Sequence, residues 1–199
     1  SAAERDRAGG TAWAERQRLR DSGLLTLAVP TGFGGAGLPW PELYAIIRRF
    51  AEADSSLAHL FGFQHLQVAS VRLFANPDQQ ARLLGGTVSE GWFWGNATNG
   101  LDTRISLTAE GDHFVLDGIK SFCSGATGSD MLNVTAPRGT DPADRVFISL
   151  PTARAGITVH DDWDNMGQRQ TDSGSATFDR VRVEADEILG PPGTRGTPR

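Results

Sequence analysis

The chain of 199 residues has one cysteine, no long apolar run and no cluster of basic residues. A single cysteine excludes an internal disulfide bond and fits a reducing compartment. The longest apolar runs, such as residues 24–29, are far too short to span a bilayer. With a net charge of −5 and no stripe of lysine or arginine, a nucleic-acid surface is not expected. The chain begins at Ser1 and not at a methionine, and no signal peptide is visible in it. We therefore expect a cytoplasmic protein that binds neither nucleic acid nor membrane.

The first part of the chain follows the 3.6-residue period of amphipathic helices. A helix is predicted over residues 11–22, and Pro41 fits the first turn of another. Asp54-Ser55-Ser56 is expected to supply the cap of a long helix that is apolar on more than one face. After a break, Asp78 is expected to cap a short helix, and Gly85-Gly86 to close the helical part.

From about Gly91 the hydrophobic period changes to two, and short apolar runs alternate with turn signals. Asp117-Gly118 is predicted to form the turn of a β-hairpin. Helices followed by strands predict an α+β fold, with a helical N-terminal domain and an antiparallel β-barrel or sandwich domain. We place the domains at residues 1–88 and 89–190. The Pro/Gly-rich residues 191–199 are predicted to form a linker.

The stretch 117–130, DGIKSFCSGATGSD, interrupts the apolar alternation with the small residues 123–126. A strand in a packed barrel would carry valine or isoleucine there, whereas small side chains let a flat ligand approach the backbone. A second stretch of this kind, residues 92–97, carries three aromatic residues followed by Gly95 and Asn96. Together the two stretches predict two strand ends that line one planar ligand.

The form KxFCSGAxGSD, at residues 120–130, resembles the acyl-CoA dehydrogenase superfamily, and within it the reduced-flavin-dependent dibenzothiophene monooxygenase branch. The block MGQRQTDSGS at residues 166–175 agrees with that branch, and the resemblance covers nearly the whole chain. It implies that reduced FMN and O2 oxygenate a small apolar substrate that contains organic sulfur. It also implies a separate flavin reductase as partner, with FAD as the alternative cofactor.

The same resemblance implies the residues that contact the flavin. The amide of Asn96 and the hydroxyl of Ser124 correspond to groups at the flavin edge, where they could also assist oxygen chemistry. Further residues of the two motifs are implied in flavin binding, namely Phe93, Gly95, Phe122 and Cys123. From the residues alone, Asn96 could simply cap a turn, and Ser124 could satisfy a neighbouring carbonyl. Cys123 has no acid–base partner beside it, which favours a small buried residue over a nucleophile.

Three further residues are implied in the reaction or in substrate binding. His59, on the long apolar helix, is expected near the flavin as a proton donor or acceptor. Phe63 lies one turn later, where the monooxygenases carry a tyrosine, and Trp163 resembles an aromatic residue of their substrate pocket. From the residues alone, His59 could equally be a core or surface residue, and Trp163 a core residue of the sandwich. No His/Cys cluster accompanies Asp161-Asp162, so no metal site is predicted.

The resemblance implies a homotetramer for the full-length protein, with a C-terminal four-helix bundle that this chain lacks. The residues Trp92, Phe93, Trp94, Phe122 and Trp163 suit an apolar, aromatic or sulfur-containing substrate. One alternative is an FAD-dependent acyl-CoA dehydrogenase, although that family's Thr-Glu-Pro stretch is replaced here by Asn96-Ala97-Thr98. The other alternative is a truncated, non-catalytic flavin-binding fragment.

Overall fold

The computed structural model describes residues 1–139, 141 and 143–190, and it places the helices before the strands. This order confirms the predicted α+β fold. The predicted linker at 191–199 lies outside the described residues. The helices are α1 Ala2–Ala8, α2 Trp13–Asp21, α3 Trp40–Ala53, α4 Ser55–Phe74 and α5 Pro77–Ser89. The strands are β1 Trp94–Ala97, β2 Ile105–Glu110, β3 His113–Lys120, β4 Met131–Pro137, β5 Arg145–Pro151, β6 Ile157–Val159 and β7 Ala176–Val183.

Side-chain caps determine where α4 and α5 begin. Asp54 accepts a hydrogen bond from the Leu57 amide at 2.9 Å and starts α4 as predicted. The prediction of Asp78 as the cap of α5 is wrong. Asn76 takes that position, because its side chain and that of Gln79 bond each other's backbone N–H groups in a capping box. Each such cap contributes about 1 kcal/mol to helix stability.

The helix α5 does not end at Gly85-Gly86 as predicted, but continues to Ser89. A glycine inside a helix costs only about 1 kcal/mol, so packing can override the propensity. The packing partner is Trp92, since a Cβ on Gly86 would lie 2.3 Å from its ring. Only a residue without a Cβ fits at position 86, because the Trp92 ring occupies the space beside it.

Two sheets face each other and enclose the core of the β part. One has the strand order β1-β4-β5 and the other β2-β3-β7-β6. The pairs are antiparallel except for β1 with β4, which run parallel. Alternate residues point inward from both sheets, as expected for a sandwich. The buried core between them includes Leu107, Leu116, Val134, Ile148 and Val181.

Asp117-Gly118 does not form the predicted hairpin turn. The strand β3 continues through both residues, and its register with β7 shifts between Leu116 and Gly118. Gly118 has φ 131°, and a Cβ there would lie 2.2 Å from the Arg104 carbonyl oxygen. The dipeptide therefore marks a β-bulge, where glycine supplies a conformation closed to other residues. The hairpin turn lies at Gly111, between β2 and β3.

A second core joins the helices to the β sandwich. The helix α4 packs on β1, and Phe61 belongs to the same buried cluster as Phe93 and Trp94. The Trp94 indole donates to the Thr87 hydroxyl at 2.9 Å, which satisfies its buried N–H. Trp92, Phe93 and Trp94 therefore pack between helices and sheet, and they do not line the cavity described below. Among the described helices, none is long and apolar enough to cross a bilayer.

Candidate active site

A cavity of about 800 Å³ opens where α4, the end of β1 and the loops after β3 and β6 meet. Six of the nine residues singled out from the sequence line this cavity, and they are His59, Phe63, Asn96, Phe122, Ser124 and Trp163. The other three, Phe93, Gly95 and Cys123, do not line it. The loop residues that complete the walls are Thr98, Asn99, Leu101, Asn165, Met166, Gly167, Gln168, Thr171 and Ser173.

The helix α4 supplies one wall of the cavity. His59 and Phe63 are four residues apart, so they lie one above the other on the same helix face. Their rings stack with centroids 4.4 Å apart and planes at 8°. Burial lowers the pKa of His59 below its usual value, which favours the neutral ring near pH 7. The phenyl ring of Phe63 thus fixes the plane of an uncharged imidazole.

The opposite wall is aromatic and is held in a strained conformation. Phe122 has φ 58°, is 56% exposed and meets Trp163 edge to face at 6.0 Å. Positive φ also occurs at Gln168 and Asp172, in the loop that completes the cavity. Thus three of the four described non-glycine residues with positive φ lie in or beside this cavity. Strain of this kind costs about 1–3 kcal/mol per residue and typically marks a functional site.

A chain of hydroxyl groups runs from His59 along the cavity. His59 Nε2 lies 3.1 Å from Ser124 Oγ, which lies 2.7 Å from Ser173 Oγ. Ser173 Oγ is 2.7 Å from Thr171 Oγ1, which donates to the Gln168 carbonyl at 3.0 Å. The Trp163 indole N–H donates to the same carbonyl at 3.0 Å. The helix α4, the loop after β3 that carries Ser124, and the aromatic wall are therefore connected through hydrogen bonds.

A second, buried network orients Asn96. Its Oδ1 accepts hydrogen bonds from the Gln67 side-chain amide at 3.3 Å and from both the N–H and the hydroxyl of Thr98. The Gln67 Oε1 accepts from Asn133, whose own side-chain oxygen accepts from the Ser149 hydroxyl. Because these residues lie in the core behind β1, the network holds the Asn96 amide against the cavity in one orientation.

The loop before β2, which contributes Asn99 and Leu101 to the cavity, is held by a buried lysine. Lys120 is fully buried, and its ammonium donates to the carbonyls of Asn99 at 2.6 Å and Asp102 at 3.3 Å. Burial lowers the pKa of Lys120 to about 8. The Asp102 carboxylate in turn accepts from the N–H and hydroxyl of Ser121. The lysine of the KxFCSG motif therefore holds the loop before β2 in place through these hydrogen bonds.

The three residues outside the cavity lining have packing roles. Burial raises the pKa of Cys123 to about 12, so this thiol is not an available nucleophile. A Cβ on Gly95 would lie 2.8 Å from Ala126 Cα, which explains why the close approach of β1 to the following loop requires glycine. Phe93 lies 5.0 Å beneath the Arg16 guanidinium. All three therefore help to pack the stretches 92–97 and 117–130 on the side away from the cavity.

The donor set fits an organic ring with polar edges rather than a metal ion. Among the described residues, no group of three His, Cys, Asp or Glu side chains could hold a metal. The cavity instead combines an amide, a hydroxyl and an imidazole with three aromatic side chains. This mixture, at a volume within the range of about 300–1,000 Å³ for ligand pockets, is typical of a cofactor or small-molecule site. A flavin ring fits that chemistry.

The sequence did not single out Thr171, Ser173 or Gln168 as site residues, although it drew attention to the block that contains them. The signal that could have found the first two is the run of hydroxyl residues in QTDSGS. The role of Gln168 is carried by its backbone carbonyl and left-handed conformation, which no side-chain pattern reveals. Gln67 was hidden because it looks like an ordinary polar residue of a helix.

Comparison with known proteins agrees with this arrangement. The model of the acyl-CoA dehydrogenase N-terminal domain matches residues 1–91, and that of the middle domain matches residues 92–181. A probable FMNH2-dependent monooxygenase from Pseudomonas putida is 51% identical over the whole chain, which covers 50% of that protein. The chain thus spans about half the length of the curated relatives it matches.

Solved structures lead to the same group. Methanesulfinate monooxygenase from Pseudomonas fluorescens superimposes with a TM-score of 0.92 at 52% identity, over 97% of this chain and 51% of that one. The FMN-bound dibenzothiophene monooxygenase of Paenibacillus sp. A11-2 gives 0.88 at 46% identity, over 94% and 49%. The chain therefore belongs to the acyl-CoA dehydrogenase superfamily, carries its N-terminal and middle domains, and is similar there to dibenzothiophene and FMNH2-dependent monooxygenases.

Proposed function

We propose that this chain forms the flavin and substrate pocket of a monooxygenase that uses reduced FMN and O2 to oxygenate a small organosulfur compound. The observation that carries the proposal is the cavity in which Asn96 and the His59–Ser124 pair face the aromatic wall of Phe122 and Trp163. Polar groups that orient a ring edge and apolar groups that exclude water are both present in one site.

In this proposal the residues of the chain bind and orient, since the redox chemistry belongs to the cofactor. Reduced FMN, when bound, supplies the electrons that activate O2. The Asn96 amide and the Ser124 hydroxyl hold the polar edge of the ring, and neutral His59 holds a proton at Nε2. Phe63, Phe122 and Trp163 form apolar walls that exclude water, which strengthens the hydrogen bonds made inside the cavity.

The proposed substrate class follows from those walls and from the relatives. Three aromatic side chains line the cavity, and one of them, Phe122, is 56% exposed, which favours a flat or sulfur-containing apolar molecule. The similar structures are named for methanesulfinate and dibenzothiophene, both of which are organosulfur compounds. A separate flavin reductase as partner and a homotetramer for the full-length protein belong to the same proposal. The expected cytoplasmic location stays a prediction.

An anaerobic titration of the full-length protein with reduced FMN and with reduced FAD tests the cofactor. Rapid mixing of the reduced complex with oxygenated buffer and an organosulfur compound then tests the reaction, with the oxygenated product measured. We expect tighter binding of FMN and one oxygenated product per bound FMN. Reduction of a dye with acyl-CoA substrates, without any oxygenated product, would instead establish the dehydrogenase alternative.

Two substitutions in the cavity examine the proposed roles. Ser124→Ala and Asn96→Ala should leave the fold intact and slow single-turnover oxygenation. A hydrogen bond that acts in the transition state contributes about 2.7–4 kcal/mol, or roughly 100- to 1,000-fold in rate. Ser129→Ala is the matched control, because that hydroxyl bonds Thr152 at 2.7 Å outside the cavity lining. Unchanged rates in both cavity variants would remove Asn96 and Ser124 from the mechanism.

A further inference from the structure

The hydroxyl chain beside the cavity ends on a group that can only accept. The Gln168 carbonyl oxygen lies 3.0 Å from Thr171 Oγ1. Two oxygen atoms at this distance repel unless a hydrogen lies between them, and a carbonyl has no hydrogen to give. The single hydroxyl hydrogen of Thr171 therefore points to Gln168.

This end point determines the direction of every other bond in the chain. Because the Thr171 hydrogen is already used, the 2.7 Å contact with Ser173 needs the Ser173 hydrogen. The 2.7 Å contact between Ser173 and Ser124 then needs the Ser124 hydrogen. The 3.1 Å contact of Ser124 with His59 finally needs a hydrogen on His59 Nε2. Ser124 Oγ is left with acceptor capacity only, and His59 with its hydrogen on Nε2.

The amide of Asn96 is oriented by backbone groups, which cannot flip. Its Oδ1 receives the Thr98 backbone N–H at 3.3 Å, and its Nδ2 lies 3.4 Å from the Phe122 carbonyl. The Gln67 amide and the Thr98 hydroxyl occupy the remaining capacity of Oδ1. Asn96 can therefore offer a ligand only its second Nδ2 hydrogen. The end of β1 therefore presents one donor, on Asn96, and the loop after β3 presents one acceptor beside it, on Ser124.

We propose that this ordering makes the site select reduced over oxidised flavin, with Thr171 and Ser173 as the positioning residues. The inference rests on the proposed function. A reduced flavin carries a hydrogen on N5 beside a ring carbonyl, an edge that matches the Ser124 acceptor and the Asn96 donor. An oxidised flavin would offer only a lone pair at N5, to which the Ser124 acceptor has no hydrogen to donate.

The first test uses the ligand-free, full-length protein and does not depend on flavin. Nitrogen-15 chemical shifts of the His59 ring distinguish hydrogen on Nε2 from hydrogen on Nδ1. We expect the Nε2–H form in the wild type. In Thr171→Val the Ser173 hydroxyl can turn toward Ser124, so a substantial share of the Nδ1–H form should emerge. A wild-type ring with its hydrogen on Nδ1 would overturn the proposed ordering.

Thr135→Val is the matched control for that substitution. Thr135 is buried in β4, and its hydroxyl has no hydrogen-bond partner in the part of the chain that the structure describes. It lies outside the hydroxyl chain and the cavity lining. The same loss of a buried hydroxyl should therefore leave the His59 shifts unchanged. A change in this variant as large as in Thr171→Val would show a general effect on packing and would contradict the proposal.

The second test measures the dissociation constants of oxidised and reduced FMN under anaerobic conditions. We expect the wild type to prefer reduced FMN by about tenfold or more, the effect of one hydrogen bond. Thr171→Val and Ser173→Ala should lose most of that preference, mainly through tighter binding of oxidised FMN, whereas Thr135→Val keeps it. If the ratio of the two dissociation constants is the same in the wild type and the variants, the proposed selection is overturned. Ser124 and Asn96 would then bond a part of the flavin that both redox states share.

The two tests separate this inference from the proposed function. If neither form of FMN binds to the wild type, the proposed function fails and flavin selection fails with it. The histidine shifts still report on the hydroxyl chain in that case. If FMN binds and oxygenation proceeds, but the preference is the same in all variants, only the present inference is overturned.

Discussion

Two histidines on one helix differ because they face different surroundings. His59 borders the cavity and shares its Nε2 with a hydroxyl, whereas His65, six residues later in α4, is fully buried against Phe61. Six residues is not a helical repeat, so the two rings point in different directions. Burial lowers the pKa of His65 to about 4 from an ordinary 6.5. One residue is thus available to a ligand, and the other is a neutral core residue.

The first prediction concerns acid stability. The folded pKa of His65 lies below the unfolded value, so between pH 6.5 and 4 the unfolded chain binds a proton that the folded chain does not. The free energy of unfolding should therefore fall by about 3 kcal/mol as the pH decreases through this window. In His65→Leu this contribution disappears. Urea unfolding of both proteins at pH 7 and pH 4.5 measures the difference.

Other groups also titrate in that range. The role of His65 is therefore judged from the difference between the variants in how much unfolding free energy each loses on acidification. His113 lies beside Asp112 at the start of β3 and is a suitable surface control. His113→Gln should keep the acid sensitivity of the wild type. If His65→Leu loses as much stability on acidification as the wild type, the buried ring is not the source of the effect.

At the scale of one element, the adjacent glycines of α5 provide a matched pair. Nothing lies within 4 Å of a Cβ built on Gly85, whereas one on Gly86 would meet the Trp92 ring at 2.3 Å. Gly85→Ala should raise the free energy of unfolding by about 0.5–1 kcal/mol through helix propensity. Gly86→Ala should lower it by about 1–3 kcal/mol, because the packed ring must move.

Denaturant unfolding of both variants measures these opposite signs. Intrinsic tryptophan fluorescence adds a second readout, since only Gly86→Ala should change the environment of Trp92. Stabilisation by both substitutions would show that the ring adapts freely and that its packing does not hold α5 on the sheet.

These elements also show how far the sequence alone determines the fold. Periodicity predicted the long helices and the sheet part, and the capping stretch at Asp54 predicted the start of α4, because each is a local property of the chain. The dipeptide Asp117-Gly118 suits a hairpin turn and a β-bulge equally well. Only the pairing of β3 with β7 decides that it forms a bulge. In the cavity, Asn96 and Ser124 were expected from their motifs. The orientation of each depends on residues distant in sequence, such as Gln67 and Ser173, which no local pattern connects to them.

Across the whole molecule, one buried ion pair connects the helical part to the loop that carries the hydroxyl chain. The Arg16 guanidinium of α2 lies 3.0 Å from the Asp172 carboxylate and also donates to the Thr127 carbonyl. Thr11 donates to the same carboxylate at 3.1 Å. Asp172 stands between Thr171 and Ser173, so the N-terminal helices hold these hydroxyls from one side while α4 presents His59 from the other. The cavity therefore depends on contact between both parts of the chain.

The last prediction concerns this pair. Burial lowers the pKa of Arg16 and raises that of Asp172, so each charge is costly without its partner. Asp172→Asn or Arg16→Met alone should lower the free energy of unfolding by about 3–5 kcal/mol, whereas the double variant Arg16→Met with Asp172→Asn should cost far less than the sum. Glu52→Gln, at an exposed pair with Arg49, is the control and should cost at most about 1 kcal/mol. Urea unfolding of all variants gives the coupling, and additive losses would show that the pair does not act as a unit. If the pair also holds the hydroxyl chain, Asp172→Asn should shift the His59 nitrogen signals even in ligand-free protein that remains folded.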